Sequence, residues 1–308
     1  MSSIMTNAAA MTALQALQTT NRAIEKTQGR ISTGYEVAEA SDNAAYWSIA
    51  TTMRSDNSAL STVQDALGLG AAKVDVAYTA LNKALEVAGD IKTKLVAARE
   101  PGVDRTKVQS EINELQNQLY AAAGSASFSG ENWLSVDSSA PNYVQTKSIV
   151  SSFTRDSAGL VTVDTIDIDI TAIELFDAFD QSGLLDSVAN TGGTLNPAVS
   201  VYNLDITVAG VADDDIDGMI SIVDGVFQAM TNAASTLGAS KKRIDMQNEF
   251  VSSLMDAVER GVGQLVDADM SEESTRLQAL QVQQQLGIQA LGIANNNAQM
   301  ILRLFQNG

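Results

Sequence analysis

An unbroken helical repeat runs from Ile216 to Leu265, and it constrains the fold more than any other feature. Apolar residues recur along it at alternating spacings of four and three, and only Lys241 and Asn248 are polar members of the stripe. A stripe with this spacing is the seam of a coiled coil, which another helix must cover. We therefore predict one long helix here and a helical partner elsewhere in the chain.

The segment from Ile49 to Leu95 is the predicted partner, because its apolar residues follow the same spacings. No proline interrupts it before Pro101 and Gly102, which predict the end of the helix. At ~1.5 Å per residue this helix is on the order of 70 Å long. A third helix is predicted to begin after Asp104, a residue type that often caps helix N-termini.

Both ends of the chain carry weaker helical seams, over about residues 7–33 and 271–305. Asn21 and Gln28 occupy one of the two seam positions in the first of these helices, which predicts a stripe that is weak in isolation. We predict that the two terminal helices pack together, with the large residues of the first near Leu291, Ala298 and Ile301, and that other copies of the chain complete the packing. The candidate assembly residues are Leu17, Ile24, Ile31, Leu291, Ala298, Ile301 and Phe305.

Residues 138–213 differ from both flanks in pattern and charge. Apolar residues alternate with polar ones over 161–170 and 199–208, which predicts strands, and 173–179 and 184–188 are candidate short helices. Between Asp156 and Ser240 there are 14 acidic residues and no Lys or Arg. The predicted fold class is mainly α, with long antiparallel coiled-coil helices from both termini and a small α+β surface insert.

The composition excludes most enzyme classes. The chain contains neither cysteine nor histidine, which removes thiol nucleophiles, Ser-His-Asp triads and most transition-metal sites. A net charge of −18 argues against a nucleic-acid partner. No apolar run is long enough to predict a membrane span, and the first residues lack the pattern of a cleavable signal peptide. We expect a soluble structural protein that is not an enzyme and needs no cofactor.

One motif competes with a purely structural interpretation. Asp213, Asp215, Asp217, Gly218 and Asp224 follow the spacing of a twelve-residue calcium loop. The last ligand position is the short Asp, however, and the preceding segment is strand-like instead of helical. The alternative is that the acids cap the long helix that follows, whose N-terminus favours negative charge. We favour this second interpretation.

Short motifs at both ends of the chain occur in an order found in one protein family. They are SIMTN with AL at 13–14, GRISTG at 29–34, ASDNAA at 40–45 with SIA and MR following, FSGENWL at 128–134, LGA at 237–239 with RI at 243–244, and VDAD at 266–269. As an ordered set they resemble the bacterial flagellins. The residues that match family positions are Arg30, Gly34, Asp42, Asn43, Arg54, Phe128, Gly130, Arg243, Asp267 and Asp269.

The resemblance implies a subunit that polymerises into the flagellar filament and serves motility. It implies that residues 1–40 with 268–308 form the inner tube, that 41–137 with 214–267 form a coiled-coil rod domain, and that 138–213 are an outer insert. It also implies an extracellular location after export without a cleavable signal. The implied partners are other copies of the chain, other flagellins, the flagellar export apparatus and its chaperone, the filament cap and the hook-junction proteins.

Two other interpretations remain open from the sequence. A hook-filament junction protein shares these terminal motifs and differs in being present in few copies. An enzyme or cation-binding activity in the insert would rest on the acidic residues from Asp213 onwards, and it would explain none of the helical seams.

Overall fold

The computed structural model describes the backbone of residues 7–156 and 158–306, and side chains as far as residue 296. The molecule is 63% helical, which confirms the mainly α fold class. The helices are α1 (Ala8–Thr33), α2 (Ala44–Ala98), α3 (Arg105–Ser125), α4 (Asp213–Val266) and α5 (Met270–Gln306).

Polar caps set the helix ends close to the predicted positions. Side-chain oxygens of Asn7, Asn43, Asp104 and Asp269 accept backbone N–H groups in the first turns of α1, α2, α3 and α5. These bonds satisfy donors that have no partner within the helix. Gly34 ends α1 with a φ of 77°, a left-handed conformation that glycine adopts without strain.

The chain divides into two compact units, and α2 and α4 each contribute to both. The first unit comprises the described residues of Met1–Ser58 and Met255–Gly308. Its buried cluster consists of Val37, Ala50, Val262 and Val266, with Met53, Val258 and Leu265 packed around it. The predicted seam residue Ile49 is exposed, and the neighbouring Ala50 is buried in its place. The sequence prediction was wrong at this position because the chain buries a small residue there.

The second unit comprises Ala59–Leu254 and contains the antiparallel pairing of α2 with α4. Lys241 of α4 forms an ion pair with Asp75 of α2, and Lys92 of α2 pairs with Asp224 at 2.5 Å. The predicted seam of α2 lies inward, and its residues Leu67, Val74 and Leu81 are fully buried. The polar seam residue Lys241 is therefore accommodated by a carboxylate on the facing helix.

In the part of the chain that the structure describes, strands follow α3 and form four two-stranded sheets. The strands are β1 (Ser127–Phe128), β2 (Glu131–Asn132), β3 (Ser135–Val136), β4 (Thr146–Arg155), β5 (Val161–Asp169), β6 (Phe176–Asp177), β7 (Ala189–Asn190) and β8 (Ala198–Val199). The pairs β1–β2, β4–β5 and β7–β8 are antiparallel, and β3–β6 is parallel. The long β4–β5 hairpin confirms the strand predicted from residue 161.

Two other predictions for the insert were wrong. Residues 173–179 and 184–188 form no helix: Phe176 lies in β6, and the N–H groups of Leu175 and Phe176 donate to the carbonyl of Leu134. Residues 200–208 form no strand. The amide side chains of Gln109 and Gln116 on α3 hydrogen-bond the backbone at Val201, Leu204 and Ile206 instead. The backbone is thus satisfied without a partner strand while its apolar side chains are buried.

Candidate assembly surface

The terminal helices α1 and α5 pack together through two facing seams with coiled-coil spacing. Both seams contain many small residues. The two helices can therefore approach each other closely, but few of their contacts involve large side chains. The seam of α1 consists of Ala10, Ala13, Leu17, Thr20, Ile24, Thr27 and Ile31, all buried or half-buried. The seam of α5 consists of Glu273, Leu277, Leu280, Gln284, Gly287, Leu291 and Ala294, all buried or half-buried.

Contacts along the pair define an antiparallel alignment. The Nδ2 of Asn7 donates to the carbonyl of Ala294 at 2.9 Å, and the Nε2 of Gln284 donates to Asn21 Oδ1 at 2.7 Å. The Nη1 of Arg30 donates to Glu273 Oε1 at 2.8 Å. Residues nearer the C-terminus of α1 thus contact residues nearer the N-terminus of α5, so the two helices are antiparallel.

This alignment corrects two details of the predicted packing. Leu17 lies against Gly287, and Ile24 and Ile31 face the region between Gln284 and Met270, so the three do not gather around Leu291. The second seam position holds Thr20 and Thr27, whereas Gln28 is exposed. Leu17, Ile24, Ile31 and Leu291 do lie on the inward faces. The side chains of Ala298, Ile301 and Phe305 lie outside the described residues.

Large apolar side chains remain exposed on the other faces of these two helices. We call them the outer strip: Met11, Leu14, Val282, Leu286, Ile288 and Ile293, which are 46–64% exposed. Val282, Leu286 and Ile293 share one face of α5, because they lie four and seven residues apart. A folded chain rarely leaves such a set in water without a partner to cover it.

Most of the residues that match family motifs meet where α1 leads to α2 and α4 leads to α5. The carbonyl of Gly34 accepts the N–H of Ala268, and Tyr35 forms a β-bridge with Asp267. The guanidinium of Arg54 lies 4.7 Å from the centre of the Tyr35 ring. The two halves of the chain are therefore joined at their motif segments by backbone bonds and a cation–π contact.

Three more motif residues stabilise the same junction. Asp42 pairs with Lys26 at 2.9 Å and accepts the N–H of Ala38. Hydrogen bonding from Lys26 lowers the pKa of the Asp42 carboxyl below its ordinary value. Asn43 caps α2, and Asp269 caps α5. These motif residues therefore act by fixing helix entry and exit.

The remaining motif residues lie in the second unit. Phe128 and Gly130 belong to the β1–β2 hairpin, whose turn residues Ser129 and Gly130 both have positive φ, as a tight hairpin turn requires. Arg243 lies on α4 and is exposed. Next to the turn, Glu131 accepts hydrogen bonds from Lys73 of α2 at 2.6 Å and from Lys147 of β4 at 2.7 Å. Glu131 was not predicted from the sequence, because its two cations are distant along the chain.

Acid is expected to weaken the attachment of this hairpin through Glu131. Burial by itself raises the pKa of the Glu131 carboxyl, but hydrogen bonds from Lys147 and Lys73 outweigh it and lower the pKa from 4.5 to about 2. The folded chain thus holds this proton less well than the unfolded chain. The carboxylate contributes stability that is complete above pH 4.5 and is lost as the pH falls toward 2.

The measurement is the urea midpoint of the full chain at pH 6 and pH 3, for the natural protein and Glu131→Gln. The difference between the two proteins should shrink at the lower pH. Glu86→Gln is the matched control, since Glu86 forms an exposed pair with Lys83 and should matter little at either pH. A constant difference between the natural protein and Glu131→Gln would contradict the expectation.

The acidic residues of the calcium-loop motif have other partners. Asp213 and Asp217 pair with Arg99, Asp213 also pairs with Arg105, and Asp224 pairs with Lys92. Asp215 is buried and accepts N–H groups of Leu195, Asn196 and Ala212. Asp213 and Asp215 lie in the first turn of α4, and Asp215 accepts the N–H of Ala212 just before the helix, an arrangement that agrees with the helix-capping interpretation. Across the described ranges, no three acidic residues are grouped as metal ligands would be.

Comparison with known proteins identifies the family. The model of the bacterial flagellin N-terminal helical region matches residues 4–138, and that of the C-terminal helical region matches residues 220–305. Flagellin C of Rhizobium meliloti (strain 1021) is 54% identical over 322 residues, which cover 99% of this chain and 100% of that protein. The chain belongs to the bacterial flagellin family.

Another flagellin, from Brucella melitensis biotype 1, is 45% identical over 99% of this chain and 100% of its own length. The crystal structure of Bacillus cereus flagellin is 18% identical, covers 62% of this chain and 88% of that chain, and has a TM-score of 0.39, a likeness too low to support an argument. The flagellin described here is a structural subunit of the extracellular flagellar filament, which self-assembles, and it is not an enzyme. Among its described residues, no helix has both the length and the apolar character needed to cross a membrane.

Proposed function

We propose that the α1–α5 pair is the polymerisation module of this flagellin, and that neighbouring copies of the chain cover the outer strip in the filament. The exposure of the outer strip is the observation that carries the proposal. Its six large side chains lie on the two helices that contain the predicted assembly residues, and Met11 and Ile293 are 63% and 64% exposed. Burial of such side chains is the main favourable term in most protein association.

The rest of the chain divides into two further roles. Residues 1–40 with 268–308 line the filament interior, 41–137 with 214–267 form the helical layer around them, and 138–213 face solvent. The excess of negative charge supports the outward position of the insert, since residues 138–213 contain ten acidic residues and two basic ones, and like charges on neighbouring copies repel least where water and salt screen them. The assembly residues proposed for the inner layer remain Leu17, Ile24, Ile31, Leu291, Ala298, Ile301 and Phe305.

The export apparatus and its chaperone, the filament cap and the hook-junction proteins are the proposed partners besides other copies. The outer strip supports a chaperone in particular. A subunit that leaves these side chains uncovered before assembly is prone to associate too early, and a bound partner prevents this.

Polymerisation is expected to fail in the variant Leu286→Gln. Leu286 is 58% exposed in the single chain, and its burial against a neighbour is worth ~1.5–3 kcal/mol. The critical concentration for assembly should therefore rise roughly 10- to 100-fold. Sedimentation of filaments over a concentration series measures it, and circular dichroism checks that the helical content of the subunit is unchanged.

Phe179→Ser is the matched control, because Phe179 is 67% exposed but lies in the insert. The critical concentration for assembly of Phe179→Ser should equal that of the natural protein. If Leu286→Gln also does so, the outer strip is not an interface between subunits.

A further inference from the structure

We infer that Asn21 and Gln284 are positioning residues that set the register of α1 against α5. The inference rests on the proposed function in one respect: the outer strip includes side chains of both helices, so neighbouring copies meet them in one fixed arrangement only if the alignment is fixed. The inference itself concerns packing within one chain. The two side chains are half-buried and joined by a hydrogen bond of 2.7 Å.

The apolar part of the seam gives little shape information. Coiled coils take their register from large side chains that fit only one set of holes, or from polar residues that need a partner. Here many seam positions are small, including Ala10, Ala13 and Thr20 on α1 and Gly287 and Ala294 on α5. One shape-specific contact is that of Leu17 with Gly287, which a displacement by one heptad would replace with Ala294 or Leu280.

The amide pair makes such a displacement unfavourable. In one direction Asn21 moves from Gln284 to a place opposite Leu291, and in the other to a place opposite Leu277. Either move leaves a half-buried amide against an apolar side chain, which cannot replace the lost bond. Only the first move offers Gln284 a new amide neighbour, Gln28, so the first slipped register is the less unfavourable of the two.

The flanking polar contacts agree with the same register. Asn7 bonds the Ala294 carbonyl near the start of α1, and Arg30 pairs with Glu273 near its end. Asn7 and Arg30 are 23 positions apart, which corresponds to roughly 35 Å of helix. Within that interval, the Asn21–Gln284 bond joins two amide side chains across the two helices, and Thr27 makes a further side-chain hydrogen bond to Glu273 near its end.

Introduced cysteines can report the register, because the natural chain contains none. A Cβ atom at residue 287 would lie 3.9 Å from the Cβ of Leu17, a separation that suits a disulfide. The pair Leu17→Cys with Gly287→Cys therefore reports the native register. The pairs Leu17→Cys with Ala294→Cys and Leu17→Cys with Leu280→Cys report the two slipped registers.

The experiment oxidises filaments of the full chain and separates intramolecular from intermolecular disulfides on a denaturing gel, with mass spectrometry to assign each bond. In the natural seam, the intramolecular 17–287 bond should dominate. With Asn21→Leu and Gln284→Leu together, the yield of the 17–294 or 17–280 bond relative to 17–287 should rise about tenfold or more. Exchange of the amides, Asn21→Gln with Gln284→Asn, should restore the natural pattern.

Gln28→Leu is the control, since Gln28 is exposed on the same helix and should leave the pattern unchanged. An apolar double variant that still forms the 17–287 bond alone would overturn the inference. If that double variant fails to polymerise, the same cross-links in the soluble subunit decide the matter. Failure of the proposed function has a different signature, namely normal polymerisation of Leu286→Gln, and it would leave the cross-linking result intact.

Discussion

Replacement of Glu273 by alanine is expected to destabilise the filament by about 3 kcal/mol per subunit. Glu273 of α5 is buried, and its Oε1 accepts hydrogen bonds from Arg30 at 2.8 Å and Arg276 at 3.0 Å. Burial by itself raises the pKa of the Glu273 carboxyl, but the bond from Arg30 and the charge of Arg276 lower it below the ordinary value. Alanine removes the carboxylate and leaves the guanidinium of Arg30, only 17% exposed, without its nearest counter-charge.

Urea dissociation of filaments, followed by light scattering, measures this loss. Glu272→Ala is the matched control, because Glu272 is the preceding residue and pairs with Arg276 at the surface, 66% exposed. A surface pair of this kind contributes about 0.5 kcal/mol or less. Equal losses for the two variants would show that burial of the Arg30–Glu273 pair has no energetic consequence.

The same pair should be replaceable by apolar residues. Within the described part of the chain, the Nε of Arg30 and the Oε2 of Glu273 are buried without a hydrogen-bond partner. The pair therefore carries a desolvation cost that its hydrogen bonds offset only in part. The double variant Arg30→Met with Glu273→Leu should recover most of the stability that Glu273→Ala loses, which separates the cost of an orphaned charge from the contribution of the intact pair.

The sequence predicted the long helices well because their determinants are local and repeated. The seam from Ile216 to Leu265 is buried or half-buried along its whole length in α4. Caps such as Asp104 and Gly34 act within one turn of their own position, so the residue type alone indicates them. The one clear error in the long seams, at Ile49, arose where a neighbouring alanine fits the packing better.

The structure of the insert could not be predicted in the same way, because side chains of another element form hydrogen bonds with its backbone N–H and carbonyl groups. Gln109 and Gln116 lie on α3, nearly a hundred residues before the segment whose carbonyls and N–H groups they bond. An alternation of apolar and polar residues indicates which side chains are buried, but it does not reveal what bonds the backbone. Residues 201–206 thus place apolar side chains in the core without forming a strand.

The assembly surface was predicted in part, for a related reason. The heptad spacing located Leu17, Ile24 and Ile31 on the inward face of α1, but a single helix has no information about the register of its partner. Contacts distant in sequence, such as Asn21 with Gln284, determine that register. The exposed apolar residues Val282, Leu286 and Ile293 of α5 were not predicted as a set. They form a second helical stripe, which is recognised only after the residues of the inward seam have been assigned.

Truncation of Ile24 provides the sharpest test of the α1–α5 packing. Ile24 is 8% exposed and is the large apolar residue of α1 that is buried within the single chain. Ile24→Ala should lower the stability of the terminal helix pair by ~2–5 kcal/mol, and Ile24→Val by ~0.5–1.5 kcal/mol, because the cavity grows with each carbon removed. Leu14→Ala is the comparison, since Leu14 is 46% exposed and belongs to the outer strip.

The three variants should separate when filament dissociation and protease cleavage of the soluble subunit are measured together. Ile24→Ala should increase cleavage within α1 as well as weaken the filament, with Ile24→Val in between. Leu14→Ala should weaken the filament and leave cleavage of the subunit nearly unchanged, because Leu14 is far more exposed than Ile24 in the single chain. If Ile24→Ala and Ile24→Val behave alike, or if Leu14→Ala alters cleavage of the subunit, the division of α1 into a face that packs on α5 and a face that meets other subunits is wrong.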